Sequence, residues 1–136
     1  MGVRVDIDGI QLTEKEIESF RFLSEVPEDS NARTSSLSAT VEIKGKILTV
    51  LGGAESTIKI EEWSRVAATD ANCYRNITIK TVSQGQVVRQ YVLTKAFVVD
   101  YTEDFDIEQG IGHFTLIARQ KKDNLTDLAI TGGFGA

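Results

Sequence analysis

The sequence has only one cysteine and one proline among its 136 residues, and only one histidine. One cysteine cannot close an internal disulfide, and Cys73 together with His113 supplies too few ligands for a structural zinc site. No stretch approaches the length of about 20 apolar residues that a membrane-spanning helix needs. The first residues also lack a basic segment followed by an apolar one, so no secretory signal is expected. These absences fit a reducing cytosol.

Catalytic side chains are equally scarce. No serine or cysteine stands in the strand-turn-helix context of a nucleophile elbow. His113 falls at the start of a predicted strand, which favours a structural role at the surface or half-buried, and Cys73 is interpreted as a small buried hydrophobe. Trp63 is interpreted as a core or interface anchor. The sequence therefore predicts no catalytic residue, no cofactor site and no metal site, and the chain is not expected to be an enzyme.

One acidic cluster, residues 103–110, is a candidate calcium loop. Asp104, Asp106 and Glu108 recur at every second residue, as ligands do at the beginning of an EF-hand loop. However, the glycine comes one position late, and Thr115 stands where the bidentate glutamate is needed. A solvated loop is therefore the favoured interpretation.

What the sequence does contain is a series of alternating apolar and polar residues, which is typical of strands with one buried face. Residues 74–122 predict four strands in a row, with a turn at Gln84-Gly85 where glycine permits a positive φ. Residues 96–101 are apolar at nearly every position, which predicts burial on both faces. Further strands are predicted within residues 3–7, 10–12, 16–24, 37–51 and 126–131, with a bend or hairpin at Gly45.

Residues 57–69 predict the single helix. Ser56 or Thr57 can cap it, and Glu61 and Glu62 fall near its positive end. Four side chains are expected to face the core: Ile58, Trp63, Val66 and Ala67. No internal repeat or linker composition divides the chain. The sequence therefore predicts one mainly β domain over residues 1–136, an antiparallel barrel or sandwich with one short α-helix, because closure removes exposed strand edges.

The longest polar interval, residues 25–36, contains the only proline and is rich in serine, aspartate and asparagine. These side chains bond to nearby backbone groups and favour turns. Loops of this length in compact domains are often functional. A plain surface loop and a functional loop are both compatible with these residues.

The order of these elements resembles that of the tube proteins of contractile injection machines. These are the haemolysin-coregulated protein of type VI secretion and the tail-tube proteins of contractile phages. The likeness is clearest over residues 74–131, where YVLTKAFVVDYTEDF and HFTLIARQKK are similar to the C-terminal half of that family. The ending FVVDYTE…QKKD…GGF also resembles that of small proteins from clostridial phage-like gene clusters. The chain is shorter than many tube proteins, and its N-terminal hairpin is less clearly matched.

This resemblance implies a barrel of tail-tube type that assembles with itself into hexameric rings, which stack into a hollow tube. It implies sheath and baseplate proteins as partners, DNA or an effector protein as cargo in the lumen, and no membrane. Assembly is then expected in the cytoplasm, followed by incorporation into a virion-like or secreted particle. The polar interval falls where the family has its stacking loop, which implies ring-stacking contacts by Pro27, Asp29, Asn31, Arg33 and Thr34.

Other functions remain open on the residues alone. A baseplate or tube-initiator protein of the same fold would have the same order of elements. A hydrolase would use His113 with a carboxylate from residues 103–108. A ligand-binding β-barrel or carbohydrate module would use Trp63 and the tyrosines.

Overall fold

The computed structural model of the chain describes residues 1–25, 38–47, 55–120 and 129–132. Within these residues the chain forms strands, one α-helix and one 3-10 turn. The helix, α1, spans Glu55–Ser64, and the 3-10 turn spans Ala71–Cys73. The strands are β1 (Gly2–Ile7), β2 (Ile10–Leu12), β3 (Ile17–Glu25), β4 (Ser38–Ile47), β5 (Arg75–Ser83), β6 (Gln86–Asp106), β7 (Ile111–Gln120) and β8 (Ala129–Gly132).

The described strands form one antiparallel sheet in the order β2-β1-β5-β6-β7-β4-β3, and β8 pairs with β6. Strand β6 is 21 residues long and has different partners along its length. Its first half pairs with β5 and β8, whereas its second half pairs with β7. The sheet is therefore held together at its centre by one long strand.

Two irregularities bend β6 near its middle. Lys95 has a positive φ of 57°, and its backbone N–H donates a hydrogen bond to Asn76 Oδ1 at 3.1 Å instead of joining the ladder to β5. On the other edge, the register with β7 shifts between Val98 and Asp100. Such bulges add local twist to a strand. The two halves of β6 can therefore follow different parts of a curved sheet.

Contacts between aromatic rings show that the sheet curls round on itself. Phe20 and Phe22 of β3 both contact Tyr91 of β6, with ring centroids 5.1 Å apart in each pair. Strands β7 and β4 separate β3 from β6 in the sheet, so these rings can meet only across its concave side. Strand β3 also approaches β1, and α1 contacts both β2 and β6. The result is a barrel with one helix against it, as the sequence predicts.

The core lies inside this barrel and uses one face of each main strand. The alternation in the sequence is confirmed, because apolar residues at every second position are buried. These are Val5 and Ile7 of β1, Ala39, Val41 and Ile43 of β4, Ile77 and Ile79 of β5, and Phe114, Leu116 and Ala118 of β7. The core residues are Val5, Ile7, Ile10, Leu12, Ile17, Val41, Ile43, Ile60, Trp63, Ile77, Ile79, Leu93, Ala96, Phe114, Leu116 and Ala118.

The helix is shorter than predicted and presents a different face. It begins at Glu55, so Ser56 and Thr57 lie within its first turn, and it ends at Ser64 rather than at residue 69. Ile60 and Trp63 face the core, three residues apart, whereas Ile58 is 53% exposed. The helical period puts Ile58 on another side from this pair, which is why that prediction was wrong.

Two strand predictions were also wrong. Residues 96–101 are not buried on both faces, since Val99 is 44% exposed and Asp100 is exposed, because the bulge turns this part of β6 outward. Gly45 makes no bend and lies inside β4. A Cβ there would meet the carbonyl oxygen of Glu16 and lie 2.7 Å from Phe114 Cε1. Glycine is present at this position because a close approach requires it.

Candidate assembly surfaces

The hairpin between β6 and β7 is shaped by Asp106. The carbonyl oxygen of Asp106 accepts a hydrogen bond from the Gly110 N–H at 2.8 Å. Its Oδ1 accepts bonds from the N–H groups of Glu108 and Gln109 at 3.1 and 3.2 Å. The predicted acidic loop is therefore shorter than expected, because residues 103–106 belong to β6 and only residues 107–110 form the turn. Asp106 fixes that turn through three hydrogen bonds.

This hairpin ends in an exposed surface that combines apolar and acidic side chains. We call Asp104, Phe105, Asp106, Ile107 and Glu108 the hairpin tip. Ile107 is 87% exposed and Phe105 is 57% exposed, and the three carboxylates lie between and beside them. No group of three or more potential metal ligands is arranged as a metal site in the part of the chain that the structure describes. The tip therefore resembles a contact surface more than an ion site.

Behind the tip, Tyr101 lies between the core and an acidic neighbour. Its ring stacks on Phe114 with centroids 6.3 Å apart, and its hydroxyl donates a hydrogen bond to Glu103 Oε1 at 2.7 Å. Partial burial raises the pKa of the Tyr101 phenol above its ordinary value, and the bond to Glu103 raises it further, since both disfavour the phenolate.

This shift predicts a specific response of stability to alkaline pH. A raised pKa in the folded state means that the stabilisation is complete below the pKa of the unfolded phenol, about 10, and is lost as pH rises above it. We expect wild-type protein to lose stability faster than Tyr101→Phe between pH about 9 and pH about 11. Urea unfolding across this pH range measures the difference. A gap between the two proteins that does not change with pH would contradict the shift.

A second surface lies on the outer side of β1, β2 and β5. Here a groove of about 340 Å³ has Val5 and Leu12 beneath it. We call it the β1–β5 groove. Its polar lining consists of Arg4, Asp6, Gln11, Thr13, Thr78 and Lys80.

The charged side chains of this groove differ in the partners that they have. Arg4 Nε bonds Glu14 Oε1 at 2.9 Å. Asp6 accepts bonds from the Gly9 N–H at 3.0 Å and from Gln11 Nε2 at 3.4 Å, so both of its carboxylate oxygens are engaged. Lys80 is exposed and forms no ion pair with any residue in the described ranges. The groove therefore has one cation, Lys80, and one carboxylate, Asp6, without an ion pair among the described residues.

The edges of the sheet provide a further surface. Residues 102–106 of β6 pair with β7 on one side, but no described strand pairs with them on the other. Strands β2 and β3 end the path of the sheet on its two sides. Unpaired backbone groups on such edges are templates for another strand.

The candidate residues from the sequence are placed as follows. Pro27, Asp29, Asn31, Arg33 and Thr34 lie outside the described residues. His113 is half-buried in β7, with Nε2 3.5 Å from Glu18 Oε1, so the carboxylate beside it belongs to β3 and not to residues 103–108. Lys80, Arg4 and Ile107, which form the two surfaces described above, were not identified from the sequence.

Trp63 and Cys73 form a buried pair. Trp63 is 1% exposed, its Nε1 donates a hydrogen bond to the Cys73 carbonyl oxygen at 2.8 Å, and the Arg75 guanidinium lies 5.7 Å from its ring centroid. Cys73 is buried and its Sγ lies 3.7 Å from the Ala68 carbonyl oxygen. Trp63 is thus an anchor of the core, as predicted, and is not open to a carbohydrate ligand. No helix within the described residues has the length and hydropathy needed to cross a bilayer.

Comparison with known proteins identifies the fold. No family model and no curated protein matches the sequence. Hcp1 from Flavobacterium johnsoniae matches at 14% identity with a TM-score of 0.63, over 98% of this chain and 97% of Hcp1. A chain in the sheath-tube complex of PVC, an extracellular contractile injection system, matches at 12% identity with a TM-score of 0.59, over 96% of this chain and 88% of that chain.

A chain in the baseplate of the anti-feeding prophage matches at 14% identity with a TM-score of 0.54, over 96% of this chain and 91% of that chain. At such identities the likeness concerns the fold, and it extends over nearly the whole chain. The expected barrel of tail-tube type with one short helix is therefore confirmed.

Proposed function

We propose that this chain is a structural protomer of the inner tube of a contractile phage tail-like or type VI-like injection machine. The observation that carries the proposal is the two-way coverage with Hcp1, 98% of this chain and 97% of the other, so the likeness in fold extends over nearly all of both chains. The protomer assembles with itself into hexameric rings that stack into a tube. It has a structural role and not an enzymatic one.

The sheet edges support self-assembly. The side of residues 102–106 on which no described strand pairs, together with the end strands β2 and β3, offers backbone groups to a neighbouring copy. Pairing of strands between copies gives main-chain hydrogen bonds, and a head-to-tail contact closes into a ring when its rotation closes. Sheath and baseplate proteins are then the outer and end partners, and DNA or an effector protein is the cargo. Assembly takes place in the cytoplasm before incorporation into a virion-like or secreted particle.

Electron microscopy of the purified protein, together with its mass by light scattering, tests this proposal. Rings with a central hole, or stacked tubes, are the expected result. Deleting residues 27–35 is expected to leave a folded protein that forms rings but no stacks, because Pro27, Asp29, Asn31, Arg33 and Thr34 are proposed as the stacking contacts. A protein that stays monomeric at high concentration would contradict the tube function, and normal stacking after the deletion would contradict only the role of the loop.

A second candidate is a baseplate or tube-initiator protein of the same fold. It is favoured by the match to a chain in the anti-feeding prophage baseplate, which covers 91% of that chain. Such a protein would form a single ring and would not elongate into a tube. The same micrographs separate the two functions, since only a main tube protein gives stacks of many rings.

A further inference from the structure

A crevice of about 170 Å³ lies between the end of α1, the residues 65–74 that follow it, and strand β6. We call it the α1–β6 crevice. We propose that this crevice binds a small uncharged aromatic molecule. The proposal goes beyond the tube function and does not require assembly, because the crevice is formed within a single copy of the chain.

The side chains that line the crevice range from buried to exposed. Trp63, 1% exposed, forms its base. Val66, Phe97 and Val98 are half-buried and form its walls, and the exposed residue Ala68 lies at its mouth. Part of the apolar surface of the walls is therefore in contact with solvent. A ligand that covers this surface removes it from water, which favours binding.

Three polar groups of the lining already have partners within the chain. Trp63 Nε1 donates a hydrogen bond to the Cys73 carbonyl oxygen at 2.8 Å. The Ser64 hydroxyl donates to the Glu61 carbonyl oxygen, and Cys73 Sγ lies 3.7 Å from the Ala68 carbonyl oxygen. No charged side chain lines the crevice within the described part of the chain. Because an ordered water needs roughly two to four polar partners, these surroundings favour an uncharged apolar ligand over water or an ion.

The rings around the crevice favour an aromatic ligand. The rings of Tyr74 and Phe97 lie edge to face, with centroids 6.2 Å apart and planes at 87°, and Trp63 adds a third ring at the base. Aromatic rings attract one another in edge-to-face and offset arrangements. An apolar cavity of about 150 Å³ is large enough to hold benzene. A volume of about 170 Å³ therefore accommodates a single ring.

The crevice is formed before any ligand binds, because hydrogen bonds hold the residues after α1 in place. The Val66 N–H donates to the Trp63 carbonyl oxygen at 3.1 Å, and the Cys73 N–H donates to the Asp70 carbonyl oxygen at 3.0 Å. The bond from the Trp63 indole to Cys73 ties this segment to the helix. Binding in a preformed site loses little conformational freedom.

Benzene is the probe that tests the proposal, and Trp63 reports its binding because it is the only tryptophan in the chain. The expected result is a saturable change in tryptophan fluorescence, with half-saturation at about 1 mM for so small a ligand. The midpoint of thermal unfolding is expected to rise with benzene concentration, since the ligand binds the folded state. Benzoate, which adds a carboxylate to the same ring, is expected to give no saturable change because no cation lines the crevice.

Three variants locate the site. Ala68→Leu narrows the mouth and Phe97→Ser removes a ring from the wall, and each is expected to raise the half-saturation concentration about tenfold or more. Ala67→Leu makes the same change as Ala68→Leu at the preceding residue, which is also exposed but does not line the crevice. This control is expected to bind benzene as the wild type does. Far-UV circular dichroism establishes that each variant is folded.

The outcomes keep this inference apart from the proposed function. No saturable fluorescence change up to the solubility limit of benzene would overturn it. Saturation that is unchanged in both Ala68→Leu and Phe97→Ser would place benzene elsewhere and would overturn it too. Benzoate binding as tight as that of benzene would overturn the class of ligand. Electron microscopy of rings and tubes bears on the proposed function alone, so either proposal can fail without the other.

Discussion

Replacing Trp63 by alanine is expected to lower the free energy of unfolding by about 3–5 kcal/mol. The indole is 1% exposed and belongs to the same core cluster as Ile60 of the same helix. Helix α1 contacts both β2 and β6, so this side chain fastens the helix to two parts of the barrel. Its loss leaves a cavity that the surrounding strands cannot fill. Urea unfolding followed by far-UV circular dichroism measures the effect.

One further substitution isolates the contribution of the Trp63 hydrogen bond, and another serves as a control. Trp63→Phe keeps much of the apolar volume but leaves the Cys73 carbonyl oxygen without its donor, at a cost of about 1–3 kcal/mol. Ile58→Ala, on the exposed face of the same helix, is the control and should change stability by less than about 0.5 kcal/mol. All variants must be compared in the same assembly state, because association adds to apparent stability. Equal losses for Trp63→Ala and Ile58→Ala would show that the helix does not stabilise the barrel.

Gly45→Ala is expected to cost about 3 kcal/mol, the upper range for overpacking of a core. The added methyl group would meet the Glu16 carbonyl oxygen and would lie 2.7 Å from Phe114 Cε1. Neither neighbour can move easily. The Glu16 oxygen accepts a hydrogen bond from the Lys46 N–H at 2.6 Å, and Phe114 is 1% exposed. The expected result is a folded but weakened protein, or one that fails to accumulate.

Gly112→Ala is the matched control for Gly45→Ala. Gly112 also lies inside a strand, on β7, and a Cβ there would come within 2.6 Å of Phe105 Cε1. The Phe105 ring is 57% exposed and can turn away, although Ile47 Cβ at 3.2 Å must also yield slightly. We therefore expect a loss of about 1 kcal/mol, at the low end of overpacking effects. Thermal unfolding of both variants measures the difference in stability. The prediction is wrong if Gly112→Ala destabilises the protein as much as Gly45→Ala does.

The strands could be predicted from the sequence because alternation is a local signal. Ile77 and Ile79 are buried two residues apart, and the Gln84-Gly85 turn has the two positive φ angles, 53° and 77°, that a two-residue hairpin requires. The bulge at Val99 could not be predicted in this way. It depends on the pairing with β7, and so the apolar run around it was misinterpreted as doubly buried.

The candidate surfaces were less predictable for a related reason. Arg4 and Lys80 lie far apart in the sequence and become neighbours only through the register between β1 and β5. A groove made by such pairing leaves no motif in the sequence. Ile107 lies in a segment that was interpreted by its carboxylates alone, although its exposure is the more informative property. The stacking role of Pro27, Asp29, Asn31, Arg33 and Thr34 stays a prediction.

The order of strands in the sheet has a consequence for synthesis on the ribosome. Strand β1 lies between β2 and β5, and β4 lies between β3 and β7, so each N-terminal hairpin has its second neighbour more than 60 residues later in the chain. The nascent chain therefore carries both hairpins with one edge unpaired until β5 and then β7 emerge. Pairings between such distant segments are slow to form, and open strand edges favour aggregation in the meantime. The barrel closes only after β7 has been translated.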